Sequence, residues 1–516
     1  MEFQTRTVLQ TAHRAKLAGS GNKMISLVWW RKLGRYERIL IILFLLSLPL
    51  VNPWVRGDGV GYYAYARALT LDHNLQFEKD WLHANPSFRS SRVDPDGRIH
   101  ADQYTVTGHL DNHFTIGPAL IWIPFLAIAH GTVLTANHFG SHLAADGYSW
   151  PYLDTMAIVT ALCGFAGLLI SFQLARKYFP ERWAFLAVLG IWLASSLPVY
   201  MYFNPSWSHA QSAFAVALFL WYWDRTRTVR TWRQWCLLGL MGGLMMDMYY
   251  INVIFLLLPA FDIAKKLSLA MRQTSSFLNH MKKPACGSGL FTVALLIAFS
   301  PTLVTRDLIY GSFFATGYDP NLWHPLNPSW GRVLFSSDHG LFSWTPILFA
   351  SLIGLIFLWL RDRFLAATIS VAVAGFYFSI AAYVNWDGIS SYGNRFFVSL
   401  TPVFVLGLAS LLSAQEKLWR NRNSAIAVAS AVLVLFAVWN FGMMFQWGMH
   451  LIPERGSVSW SEVISNQVRI VPSKIAGSLE QYFTGRHGLM QRIEREDLRQ
   501  LGEINDSTAQ PARAKE

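Results

Sequence analysis

The feature that most constrains this chain is a succession of long apolar runs separated by short loops rich in arginine and lysine. The runs cover 39–55, 154–174, 184–203, 208–223, 235–262, 289–305, 343–360, 364–383, 397–413 and 424–446. In hydrocarbon such stretches satisfy their backbone hydrogen bonds only as helices. Composition agrees: 53% of the 516 residues are apolar and 14% charged, where a soluble domain carries about a quarter charged. The expected fold class is an all-α polytopic membrane protein. The first run stands behind a basic segment and reads as a signal anchor, not a cleavable signal peptide.

The net charge of +12 sits mostly in the short loops. It reads as a topology signal that holds those loops in the cytoplasm, not as a nucleic-acid footprint. Cys163, Cys236 and Cys286 are too widely spaced for a disulfide framework or a zinc site.

Six basic segments, 6–38, 176–182, 225–233, 265–283, 361–363 and 417–422, share one side only if an even number of crossings separates each pair. Two places strain that count. The run 117–134 holds Pro118 and Pro124 and reads as a re-entrant or juxtamembrane hairpin that does not cross. The stretch 235–262 has basic loops on both sides, so it reads as two short helices meeting at MDMYYIN (246–252). About eleven crossings result. The domains are a cytoplasmic basic N-terminus (1–38), a transmembrane module (39–446) and an extracytoplasmic tail (447–516). The module includes a large outer loop, 56–116. The tail, with one helix at 489–504, reads as a surface appendage.

Nearly all unusual polar chemistry falls on the outer side, so the working face is expected there. Asp58 opens a segment in which Tyr62, Tyr65, Ala66 and Leu69 recur at helical spacing, which predicts an amphipathic helix on the membrane surface. Asp58 reads either as a helix cap between glycines or as a general base. His109 and His113 fit a metal only if that stretch is helical. Ser206 or Ser208 reads as an N-cap, and His209 as a polar group at the mouth of a cavity. Asp338 and His339, in SSDHG, and Asp387, in NWDG, are further cavity candidates. Arg395 is a candidate phosphate ligand or a snorkelling arginine, and Arg306 a second phosphate candidate. Asp247 lies within the broken pair, where an acid requires a partner or a function.

These residues resemble the GT-C integral membrane glycosyltransferases, closest to the branch of the protein O-mannosyltransferases and lipid A aminoarabinose transferases. GDGVGYYAYARAL, with its paired Tyr62 and Tyr63, matches that family's loop acid and following helix. HFTIGPALIWIPFLAIAH resembles its return segment. WSHAQSAFAVALFL, SSDHGLFSWTPILFASLIGL and SSYGNRFFVSLTPVFVLGLA resemble segments of bacterial members. The resemblance covers about residues 35–450. It implies that Asp58 is the acid acting on the acceptor. Many members carry a second adjacent acid, where this chain has Gly59. Their return segment often has a phosphate-binding lysine, where this chain has His113.

The resemblance implies transfer of a sugar, with inversion, from a polyprenyl-phosphate-linked donor to a lipid, glycan or protein acceptor at the outer face of the plasma membrane. Asp58 would be the base, and Arg395, His113 and Arg306 the phosphate ligands. Membrane lipids are the expected surroundings. No cofactor is required, and a divalent metal is allowed. The alternative is a polytopic transporter or lipid flippase, which would explain the broken helices and Asp247 but not the size of the loop 56–116.

Overall fold

The computed structural model describes residues 33–271 and 277–502. Most of the basic segment 6–38, residues 272–276 of the segment 265–283, and the end of the tail, 503–516, lie outside the described residues. The chain divides into two units, residues 1–49 and 50–516. The first contains the helix Arg35–Ser47, whose Leu45 and Leu46 are exposed.

The second unit is a helical bundle. Among its described residues there are no strands, only isolated bridges such as Val93 with Ile99. Among the described residues, six segments are long and apolar enough to cross a membrane: Gly117–His138, Trp150–Ala175, Pro284–Tyr310, Arg363–Ala381, Arg395–Leu418 and Arg422–Gly448. Shorter or broken helices lie between them, among them Glu181–Ala194, His209–Thr226 and Ile347–Leu358. Small residues set the closest crossings, as in lipid, where packing and not hydrophobicity drives association. Gly239 and Gly243, four residues apart on Trp232–Met248, lie so near Phe277–Tyr310 that a Cβ would fall 2.3 Å from Phe291 O and 2.4 Å from Leu295 O.

The basic loops gather at one end through ion pairs. Lys177 meets Asp224 at 2.6 Å, Arg227 bridges Asp224 and Asp362, Arg182 meets Glu416 at 2.6 Å, and Arg230 meets Asp262 at 2.8 Å. The helix Arg363–Ala381 starts beside Asp362, at that end. Its 19 residues rise roughly 28 Å toward the opposite end, where the cavity described below opens.

The stretch 235–262 breaks where its polar centre predicts. Trp232–Met248 ends at Tyr249, which is extended (φ −163°, ψ 122°), and a 3-10 turn, Tyr250–Leu256, leads into Leu257–Met271. Asp247, fully buried, accepts from Thr302 Oγ1 at 2.5 Å.

Two expectations are corrected. Residues 117–138 form one continuous helix, not a hairpin, because Pro118 stands in its first turn and Pro124 is accommodated within it. This helix packs antiparallel to Trp150–Ala175: Trp122 Nε1 donates to Thr160 Oγ1 at 3.0 Å, and His130 meets Tyr152 Oη at 2.7 Å. Its two flanking loops touch, with Tyr148 Oη donating to Asp80 at 3.1 Å and Tyr63 Oη to Gly147 O at 2.6 Å. The tail is also no loose appendage. Its helices Val471–Thr484 and Arg486–Gln500 dock on residues near the start of the unit. Tyr482 Oη donates to Leu50 O at 2.7 Å, and Glu494 accepts from Ser87 N at 2.6 Å. Glu494 and Asp497 of this segment are buried and serve as anchors.

Candidate active site

The turn before the first helix of the second unit places Asp58. Gly57 takes φ +53° as N-cap, and Trp207 Nε1 holds the turn by donating to Arg56 O at 2.9 Å. Asp58 is the first helical residue, not a cap, and no side-chain capping bond forms. Its carboxylate instead meets Arg395, whose Nη1 lies 2.6 Å from Oδ2. The Arg395 guanidinium also stacks on Trp207, 4.4 Å from the ring centre, and its side chain is 11% exposed. The loop carrying it comes close because Gly388 (φ +80°) has no Cβ, which would fall 3.3 Å from the Arg395 side chain.

The helix Asp58–Arg67 does not lie on a surface. Every residue from Gly59 to Arg67 is buried, so the amphipathic reading is corrected. One side is covered by the loop 111–116, where Asn112 Nδ2 donates to Gly61 O at 2.9 Å and Tyr65 Oη donates to Asn112 O at 3.0 Å. On another, Ser208 Oγ donates to Tyr62 Oη at 3.0 Å. Ser208 is the N-cap of His209–Thr226, but its side chain makes no cap bond and serves Tyr62 instead. The missing second acid also has a local cause: a Cβ on Gly59 would fall 1.9 Å from Ser206 Oγ.

A cavity of about 960 Å³ opens on this pair and is lined by Asp58, Tyr62, His113, His209 and Arg395. The structure thus unites five of the residues singled out in sequence. His113 is half-buried against Phe114 and Tyr318, at ring-centre distances of 4.2 and 4.9 Å. Burial holds its imidazole below the usual range, so near neutrality it offers hydrogen bonds and not a charge.

Other candidates fall elsewhere. Arg306 does not face the cavity. Its donors go to the carbonyls of Asn112 and His113, at 3.0 Å each, and of Phe114. Its Nη1 and Nη2 clamp the loop that positions His113, and its Nε is buried without a partner. Tyr63 belongs to a separate cavity of about 200 Å³ with Asp80 and Tyr148. His339 is fully buried and stacked on Trp344 at 4.5 Å, with Asp338 3.9 Å away. Asp387 accepts Ser391 Oγ through its main chain at 3.4 Å. None of these lines the large cavity. Residues 109–113 are not helical, so the paired-histidine metal reading falls.

Sequence reading missed three parts of the wall. Trp207, Tyr249 and Tyr318 supply aromatic surface; the first two stand in segments that did attract attention. Arg92 comes from a stretch read as plain loop. The tail contributes Glu454, Arg455, Asp497 and Gln500, for which no sequence signal existed. Asp497 and Glu454 both hold Arg56, at 2.7 and 3.3 Å, and His450 Nε2 lies 2.7 Å from Asp497. His450, Glu454 and Asp497 present ligand atoms within 4.8 Å of one another and so could hold a metal ion, but Arg56 already provides their counter-charge.

Residues 153–304 match the family model described as dolichyl-phosphate-mannose-protein mannosyltransferase. This stretch, less than a third of the chain, is thus similar to that family. The matched stretch holds His209 and Tyr249 but neither Asp58 nor Arg395.

Among solved structures, the chain resembles ArnT from Cupriavidus metallidurans bound to undecaprenyl phosphate. Identity is 13%, covering 80% of this chain and 70% of that one, with a TM-score of 0.44. The Archaeoglobus fulgidus oligosaccharyltransferase in complex with Zn and sulfate is 15% identical over 78% of this chain, with a TM-score of 0.44. Arabinosyltransferase EmbB from Mycobacterium smegmatis is 12% identical over 93%, with a TM-score of 0.39. The chain spans 52% of the oligosaccharyltransferase chain and 42% of the arabinosyltransferase. No curated protein matches it.

Proposed function

We propose that this chain transfers a sugar from a polyprenyl-phosphate-linked donor to an acceptor hydroxyl, with inversion, on the face of the membrane opposite the clustered basic loops. The observation that carries this reading is the Asp58–Arg395 pair opening into a large cavity with both polar and apolar walls. Val253, Ile254 and Leu322 form part of the apolar wall and suit the first isoprene units. The basic end, by the positive-inside tendency, faces the cytoplasm.

The donor phosphate competes with Asp58 for Arg395. A guanidinium offers several donors in one plane, so it can donate to a phosphate oxygen as it releases the carboxylate. Asp58, freed, takes the proton of the acceptor hydroxyl as that oxygen bonds to the anomeric carbon. The bond from that carbon to the phosphate oxygen breaks from the opposite face. Its electron pair stays on the phosphate, held by Arg395 and hydrogen-bonded by neutral His113. Pairing therefore keeps the base occupied until a donor arrives.

The test is transfer by purified protein in detergent, with radiolabelled polyprenyl-phosphate sugars and membrane extract as acceptor. Wild type transfers; Asp58→Asn binds donor but does not. Equal transfer by both would remove Asp58 from the chemistry.

A further inference from the structure

The helices Ile347–Leu358 and Arg363–Ala381 are the arms of a hairpin that turns at the basic end, through residues 359–362. The arms do not close on each other: a groove of about 720 Å³ lies between them. Phe349, Ile356 and Trp359 line one side, Ser370 and Ala374 the other, and Phe404, buried on Thr401–Gln415, the floor. Ile356 and Trp359 are 69% and 47% exposed, an apolar surface that in a bilayer is covered by hydrocarbon. The groove is separate from the large cavity. Ser379, on the wall of that cavity, stands about half a turn around the helix from Ser370 and Tyr377, which line the groove.

Length and charge together say what fills it. From Phe349 to Trp359 the chain advances roughly 15 Å along the helix axis. One leaflet is also roughly 15 Å deep, half of the hydrocarbon core. At the turn stand Arg361 and Arg363, both exposed. Among the described residues, the side chain of neither meets an acid, a hydrogen-bond acceptor or a ring. The acid between them is taken: Asp362 pairs with Arg227 and accepts from Leu365 N at 2.9 Å. The turn thus sets two unmatched positive charges at the mouth of an apolar groove as long as one leaflet is deep.

We propose that this groove holds one anionic phospholipid of the leaflet at the basic end, of the phosphatidylglycerol kind, with an acyl chain between the arms and the headgroup phosphate on Arg361 and Arg363. The guanidinium groups supply the preference for a net negative headgroup. A zwitterionic headgroup brings its own cation to the same place and gains less. The chain supplies the packing that the separated helices lack, since packing is what associates helices in lipid. The bound lipid is a structural part of the bundle and not a substrate, and its binding does not depend on the transferase reading.

The test uses the full chain in detergent with phosphatidylglycerol carrying a photoactivatable diazirine in one acyl chain, and maps the adducts by peptide mass spectrometry. Labelling is expected within residues 349–359 and 370–377. It should need about tenfold less lipid than with phosphatidylcholine bearing the same chain, since each arginine near an anionic headgroup is worth about a fivefold preference. In the variant Arg361→Gln with Arg363→Gln the two lipids should label within about twofold of each other. Both side chains are exposed, so this variant keeps the fold. Ala374→Trp, which fills the groove, should suppress labelling by either lipid. Equal labelling of wild type by the two lipids, an undiminished preference in the arginine variant, persistent labelling in Ala374→Trp, or adducts outside the groove overturns the proposal. So does displacement of the label by glycerol phosphate as readily as by plain phosphatidylglycerol, which would make the arginines a site for a free anion.

Discussion

Arg395 Nη1 lies 2.6 Å from Asp58 Oδ2, so the two residues that sequence assigned to separate tasks are partners across 337 positions of chain. Neither can be changed without altering the other. Asp58→Asn should lower transfer by about 10²–10⁴-fold, the usual contribution of a positioned base. Arg395→Gln should instead weaken binding of undecaprenyl phosphate, by about tenfold or more, as loss of a charge-assisted contact does. The double variant should fall short of the product of the two effects, because groups acting as a unit are not additive. Single-turnover rates and lipid binding, measured on all four proteins, decide this.

Gly59 is tied to Ser206. Gly59→Ala puts a methyl where Ser206 Oγ lies 1.9 Å away, and overpacking of that kind costs about 1–3 kcal/mol. Gly59→Ala combined with Ser206→Gly should recover most of the loss. Thermal melts in one detergent provide the measurement; a double variant no more stable than Gly59→Ala would refute the contact.

Arg306 is expected to matter for structure and not for anions. Arg306→Gln strips hydrogen bonds from the carbonyls of residues 112–114, with a cost of about 1–3 kcal/mol for each buried group left unpaired. Loss of protease resistance in the loop 105–116, with unchanged affinity for undecaprenyl phosphate in the surviving folded fraction, is the expected pattern. Selective loss of lipid affinity would restore Arg306 as a phosphate ligand.

His339 predicts an acid-sensitive fold. Burial against Trp344, with a further push from the Arg395 charge, brings its ring down to about 4. An unfolded histidine titrates near 6.5, so between these values the unfolded chain binds the extra proton. Stability contributed by the neutral ring is present above about pH 6.5 and is lost as pH falls toward 4, by up to about 3 kcal/mol. His339→Gln should flatten the fall in melting temperature between pH 7 and pH 5. An identical slope in both proteins would contradict this.

Asp497 holds Arg56 at 2.7 Å with both side chains nearly buried, at 3% and 13% exposed. Asp497→Ala leaves Arg56 with Glu454 alone at 3.3 Å, and breaking a buried pair costs about 3–5 kcal/mol. Because Arg56 stands two residues before Asp58, transfer should fall along with stability. Arg56→Met with Asp497→Leu and Glu454→Gln, which removes the arginine and both acids that hold it, should restore most of the melting temperature. A melting temperature that stays low in the triple variant would show that the charge cluster is not what the single change disturbs.

What was legible in the sequence followed from periodicity and charge. The helical membrane class, the break near Tyr249 and the gathering of basic loops all rest on local composition, which hydrocarbon and ion pairing enforce. Asp58, His113, His209 and Arg395 were found because polar groups at the ends of apolar runs are conspicuous. What escaped was long-range pairing. Nothing local distinguishes Arg306, consumed by three carbonyls, from Arg395, which faces the cavity. Nothing in LMQRIEREDLRQLGEI marks Glu494 and Asp497 as buried. The helix after Asp58 looked half-exposed because its pattern of tyrosines and alanines fits a surface as well as a tightly packed interior, and only the covering loop decides.

The docking of the tail orders events during synthesis. Arg56 and Asp497 are 441 residues apart, which at 5–20 residues per second is roughly 20–90 s of elongation. For that interval the helix bearing Asp58 is already made while its cavity lacks a wall. Until then Arg56 lacks the carboxylate of Asp497 that pairs with it in the finished fold. The cavity is therefore complete only when one of the last helices to emerge folds back over one of the first.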